Sequence, residues 1–170
     1  MSLLLLNLIV KQYIYEKNRY QVRIIGIGYF SIFLLFYGIY SLITTGSFMY
    51  LTIIMICLYI IYETFITCAN PNKIMISDKE IIFESPWHKD SYQWDDIVDF
   101  RVKELPNRKQ IYIRINKDQF DFMKGRYWVY CFYFDQPDEL YDFFLDKEAQ
   151  IHPDSIKAKN RRESKIQKKK

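Results

Sequence analysis

From Ile24 to Tyr62 the chain carries no charged residue, thirty-nine positions bracketed by Arg23 and Glu63. A helix of that length would reach roughly 58 Å at about 1.5 Å per residue, and the hydrocarbon core of a bilayer is only about 30 Å thick. One straight span overshoots about twofold; two spans of about twenty residues fit. The one polar cluster in this stretch is Thr44-Thr45-Gly46-Ser47, near the middle. Glycine tolerates the positive φ of a tight turn, and hydroxyls can bond freed backbone groups. The sequence therefore predicts antiparallel helices over 24–43 and 48–68. A buried helix of a soluble domain is disfavoured, because uncharged runs this long are rare there. A signal peptide is disfavoured too: the basic residues Lys11, Lys17, Arg19 and Arg23 follow the apolar MSLLLLNLIV instead of preceding it.

Basic residues near span ends favour the cytoplasmic face. They flank the pair on both outer sides (Arg19 and Arg23 before, Lys73 and Lys79 after) and are missing from the connecting turn. The expected topology is a multi-pass protein of the cell membrane with both termini cytoplasmic. No ionisable group interrupts the spans, which argues against a transporter or proton relay. Gly26, Gly28 and Gly38 do not make a GxxxG face, so the spans carry no clear signature of dimerisation.

The net charge of +4 averages three unlike regions. Residues 1–69 hold four basic and two acidic side chains, 70–156 twelve and seventeen, and 157–170 eight and one. The basicity thus resides in a tail, and no basic-aromatic surface pattern points to nucleic acid. Cys57, Cys68 and Cys131 lack CxxC spacing, and His88 and His152 lie far apart, so neither a zinc site nor a disulfide is expected.

Beyond Asn72 the pattern becomes strand-like. KIMIS and EIIFES flank the turn cluster SDK and predict a hairpin over 73–84. A strand is expected around 98–102, after a break at Trp94–Asp96. PNRK (106–109) reads as a turn, QIYIRIN as a strand with Ile111, Ile113 and Ile115 on one face. KDQ and KGR read as turns around FDFM, and YWVYCFYF (127–134) as a final strand. Pro137, Asp138 and Glu139 suit a helix start, and Leu140, Phe143 and Phe144 recur at helical spacing, predicting a helix over 137–149. The expected class is an α+β membrane protein: a transmembrane helical hairpin, then a small antiparallel β domain of six or seven strands closed by a C-terminal helix. The boundaries expected are an interfacial segment at 1–23, the hairpin at 24–69, the β domain at 70–152 and a disordered polybasic tail at 153–170. Whether the first twenty residues form an interfacial helix or a strand stays open.

This order of parts, with IMISDKEIIFESPW, YQWDDIVDFRVKE and QIYIRIN between the spans and the last helix, resembles the two-span bacterial membrane proteins with a pleckstrin-homology-like (PH-like) cytoplasmic domain, the YcxB-like type. The resemblance covers roughly 24–149. It implies a fold and a topology, with no catalytic residues to carry over and no phosphoinositide grip.

Trp94-Asp95-Asp96-Ile97 reads as packing residues around a capped turn, since two adjacent carboxylates make a weak metal site. His88 with Asp90 lacks a nucleophile or orienting partner, so an enzyme is not expected. Trp87 either dips toward the membrane interface or covers the core. The candidate contact residues are Trp87 and the tail cations Lys157, Lys159, Arg161, Arg162, Lys165, Lys168, Lys169 and Lys170, a cluster suited to anionic lipid or an acidic partner. The reading that follows is a non-catalytic, membrane-anchored adaptor at the inner leaflet of a bacterial cytoplasmic membrane. Its partners would be the bilayer and a membrane or cytoplasmic protein, with no cofactor. The alternative is an immunity or tolerance protein against a membrane-active peptide or secreted toxin.

Overall fold

The computed structural model describes residues 10–105, 109–117 and 124–167, and side chains as far as Arg161. The chain forms two compact units that divide after Tyr92. Its class is α+β: two long apolar helices, antiparallel sheets and C-terminal helices.

The first unit contains β1 (Lys11–Ile14), the helices α1 (Lys17–Thr45) and α2 (Met49–Ile66), then β2 (Lys73–Ile76), β3 (Glu80–Glu84) and β4 (Lys89–Gln93). The four strands form one sheet in the order β1-β2-β3-β4. The open question at the N-terminus is thus settled for 11–14, which is a strand. β1 pairs antiparallel with β2, and the pairs Tyr13↔Ile74, Ile74↔Phe83 and Ile76↔Ile81 line one buried face. Serines shape both of the short turns. Ser77 Oγ accepts from the Glu80 N–H at 3.0 Å, and Ser85 Oγ from the His88 N–H at 3.1 Å.

Helix α1 begins at Lys17, seven residues before the boundary expected at Ile24. Charge marks where the apolar stretch ends, not where helical hydrogen bonding ends; Lys and Arg are good helix formers. α1 stops at Thr45, where Gly46 takes φ 67° and its N–H bonds Leu42 O at 2.9 Å. Thr45 Oγ1 donates to Ser41 O at 2.7 Å and accepts from the Ser47 N–H at 3.4 Å, so the expected turn uses the expected residues. α2 ends at Ile66 instead of 68, because Thr67 is extended.

The two helices pack along a seam of small residues. Ile24, Gly28, Ser31 and Gly38 are buried and Leu35 half-buried, steps of four and three that repeat every 3.5 residues. A Cβ on Gly28 would stand 2.7 Å from Thr64 Cγ2, and one on Gly38 3.2 Å from Ile54 Cγ1. These two approaches set the antiparallel register, 28 against 64 and 38 against 54.

The second unit holds β5 (Asp99–Leu105), β6 (Gln110–Asn116) and β7 (Arg126–Tyr130) as an antiparallel sheet in that order. Phe100, Val102, Ile111, Ile113, Ile115, Tyr127 and Val129 share its buried face. Val98, expected to begin this alternation, is 58% exposed and precedes the strand. The strand expected over 127–134 ends at Tyr130; Cys131–Tyr133 make a 3-10 turn that buries Cys131 and exposes Phe132. Apolar residues on both faces had disguised that break. At Gly125 φ is 73°, and a Cβ would lie 2.0 Å from Ile115 O, so only glycine fits. Residues 106–108 of the expected turn and the FDFM segment lie outside the described residues.

Helix α3 (Pro137–Ile151) lays Leu140, Phe144 and Leu145 on the sheet, with the Phe144 ring stacked 6.4 Å from Phe100. Phe143, expected in the same stripe, instead packs its ring 6.1 Å from Trp94. Residues expected to be a disordered tail form helix α4 (Ile156–Gln167). Ser155 caps it, its Oγ accepting from the Ala158 N–H at 3.1 Å, and Ala158 is buried.

Candidate functional site

The helical pair exposes its large apolar side chains and hides its small ones. Phe33, Phe36, Ile43 and Met55 are 67%, 68%, 78% and 66% exposed. Only 22% of the most apolar window of α1 and 11% of that of α2 is buried, at a mean hydropathy of 1.9 in each. A helix at the heart of a soluble domain shows the reverse.

At the strand-bearing end of this pair lies a cleft of about 500 Å³. β1 leads into α1 along one wall, where Tyr15 and Tyr20 meet edge to face at 5.3 Å and Tyr20 Oη donates to Asn70 O at 2.9 Å. Ile25 extends this wall to the start of the uncharged run. The segment after α2 makes the other wall. Asn72 is held between strands, its N–H on Glu84 O at 2.9 Å and its carbonyl accepting from the Tyr15 N–H at 2.9 Å. Its side-chain Oδ1 is buried, with no hydrogen-bond partner among the described residues. Lys17 stands at the rim; Lys73 and Glu84 face each other across β2 and β3 at 4.0 Å. Trp87 completes the cleft from the turn between β3 and β4, 45% exposed, with its ring 5.0 Å from Phe65 near the end of α2. Phe65 in turn meets Tyr29 of α1 at 5.5 Å. Trp87 therefore belongs to the base of the helical pair. Lys17 and Lys73 stood out in the sequence only as basic flanks of the spans and Asn72 not at all, because nothing along the chain brings the three into one cleft until β1 pairs with β2.

The tail cations divide. Lys157 Nζ reaches Glu148 at 2.9 Å and Glu104 at 3.2 Å and also donates to Val102 O. Glu148 accepts from the Val102 N–H at 2.9 Å. β5 is an edge strand, and these two side chains occupy the backbone groups that Val102 turns outward, one of the ways sheet edges are protected. Arg161 bridges Asp142 at 2.8 Å and Asp146 at 2.9 Å. Tyr141 donates to Glu104 at 2.9 Å; burial first, then this carboxylate, pushes its hydroxyl up to about 12. Lys159 is exposed. The side chains of Arg162 and Lys165, and all of Lys168, Lys169 and Lys170, lie outside the described residues. Of the acidic partners of the α4 cations, Glu104 was the hard one to foresee, since it precedes Lys157 by more than fifty residues.

His88 supplies backbone atoms to the Ser85 turn, and Asp96 pairs with Lys117 at 3.7 Å. Trp94 packs 6.0 Å from Phe100 with the Lys147 ammonium 4.2 Å above its ring. Cys57, Cys68 and Cys131 are buried free thiols, and burial pushes Cys131 up to about 12. Comparison with family models, with curated proteins and with solved structures finds no match.

Proposed function

We propose that this chain is a non-catalytic, membrane-anchored interaction module, with α1 and α2 crossing a bacterial cytoplasmic membrane and returning. The observation that carries the reading is the distribution of side chains on the helical pair. Large apolar groups face outward, Gly28, Ser31, Gly38 and Ser41 face inward, and no charge falls between Ile24 and Tyr62. Without a hydrophobic drive between helices, pairs in lipid associate through small residues that let backbones approach closely. In water the same surface would be an apolar patch far beyond what a monomer tolerates.

The pairing of β1 with β2 supports a hairpin topology, since residues 11–14 and 73–76 must lie on one side of the bilayer. The basic residues at that end favour the cytoplasmic side. Six strands between α2 and α3 among the described residues suit the YcxB-like, PH-like resemblance. The soluble part then serves a protein partner at the inner leaflet, and Lys159 with the basic residues beyond Arg161 draws it toward anionic lipid.

The test is topological. Reporter fusions at Ser47 and after Lys170 are expected to report opposite sides of the membrane, and the protein to resist alkaline carbonate. Extraction by carbonate, or both fusions on one side, overturns the reading.

A further inference from the structure

We propose that the cleft at the base of the helical pair binds a single anionic phospholipid. This rests on the membrane-anchored reading above and assigns that anchor a specific ligand. The cleft lies entirely within the first unit, and its volume of about 500 Å³ falls in the range of ordinary ligand sites.

Its walls combine charge with apolar surface. Lys17 and Lys73 line it together with Ile25, at the start of the uncharged run, and Trp87, whose ring meets Phe65 of α2. Trp and Tyr are the side chains that settle at the boundary between headgroups and acyl chains. Lys17, Lys73 and Glu84 leave the lining one net positive charge, which favours a phosphate. The apolar wall explains why the occupant carries chains: a free glycerol phosphate would leave Ile25 and Trp87 uncovered.

Both helices also widen here. Gln21–Ile25 in α1 and Tyr62–Ile66 in α2 are π-helical, a geometry concentrated at functional sites. The π-turn of α1 contributes Gln21 and Ile25 to the cleft itself.

The experiment uses the full chain purified in a neutral detergent. Native mass spectrometry with dioctanoyl phosphatidylglycerol is expected to show one retained lipid. Dioctanoyl phosphatidylcholine and glycerol 3-phosphate should bind at least tenfold more weakly. Lys17→Gln with Lys73→Gln should weaken the phosphatidylglycerol complex roughly ten- to thirtyfold, consistent with about 1 kcal/mol per cation near a lipid surface. Equal retention of the choline lipid, equal competition by glycerol 3-phosphate, or unchanged binding by the double variant overturns the proposal.

A measurement on the unaltered chain guards against a variant that does not fold. Brominated phosphatidylglycerol should quench a saturable fraction of the tryptophan emission, and Trp87→Phe should remove that fraction; quenching that survives in Trp87→Phe overturns the site. Flotation with vesicles separates the two readings. A chain that floats and resists carbonate but shows no selective lipid retains its anchor and loses this site, whereas a chain that does not float loses the anchor itself.

Discussion

Three glycines of α1 offer a graded test of the seam. At Gly26 an added Cβ meets only Gln21 O, at an ordinary 3.5 Å. Alanine there gains the helix preference over glycine, roughly 0.5–1 kcal/mol. At Gly38 the Cβ would sit 3.2 Å from Ile54 Cγ1, so a few tenths of an ångström of movement cancels most of that gain. At Gly28 it would sit 2.7 Å from Thr64 Cγ2 and 2.8 Å from Phe65 Cε2. Carbon atoms prefer roughly 3.5–4.0 Å, so about 1 Å of separation is required. Phe65 cannot swing freely, because Tyr29 lies on one side and Trp87 on the other. Overpacking of this kind costs about 1–3 kcal/mol, leaving Gly28→Ala destabilised by roughly 1–2 kcal/mol after the helix gain. For a chain of this size that lowers the midpoint by roughly 2–8 °C. Thermal loss of the monodisperse species in detergent reads the order directly, with Gly26→Ala at or above the parent, Gly38→Ala near it and Gly28→Ala below. Gly28→Ala melting at or above Gly38→Ala would refute the close approach of 28 to 64. Phe65→Leu added to Gly28→Ala should recover part of the loss.

Two further outcomes follow from the second unit. Glu148→Ala strips the outward Val102 N–H and the Lys157 ammonium of one partner together, and should destabilise this unit by about 1–3 kcal/mol in denaturant titration; Arg161→Gln, which breaks two half-exposed pairs, should cost less and fade as salt rises. At alkaline pH the buried Cys131 thiol stays protonated up to about 12, against an ordinary value near 9. The native state then holds a proton that the unfolded chain releases, so this contribution to stability is intact below pH 9 and is lost as pH rises toward 12, at about 1.4 kcal/mol per pH unit. Cys131→Ala should start lower in stability yet lose it less steeply between pH 9 and 11; equal slopes would contradict the burial of the thiol.

The periodic elements were legible in the residues. QIYIRIN alternates because one face is buried, and β6 occupies those same seven positions. SDK and the Pro137-Asp138-Glu139 start announced a turn and a helix by local chemistry alone, and both stand where expected. Boundaries were less legible where charge and hydrogen bonding part company, as at Lys17, where the helix begins well before the apolar run. The tail misled for a related reason. Its charge density resembles a solvated extension, but Asp142, Asp146, Glu104 and Glu148 pair with Lys157 and Arg161 from other elements.

The sequence by itself determined the uncharged run, its interruption at Gly46 and the alternation of the strands, because each depends on neighbours a few residues apart. Only the tertiary structure decided that Gly28 faces Thr64, that Lys17 and Lys73 share a cleft with Asn72, and that Lys157 guards the edge of β5. Those pairings join positions dozens of residues apart, and their stability comes from packing and charge that exist only after β1 has met β2 and the helices have closed on each other.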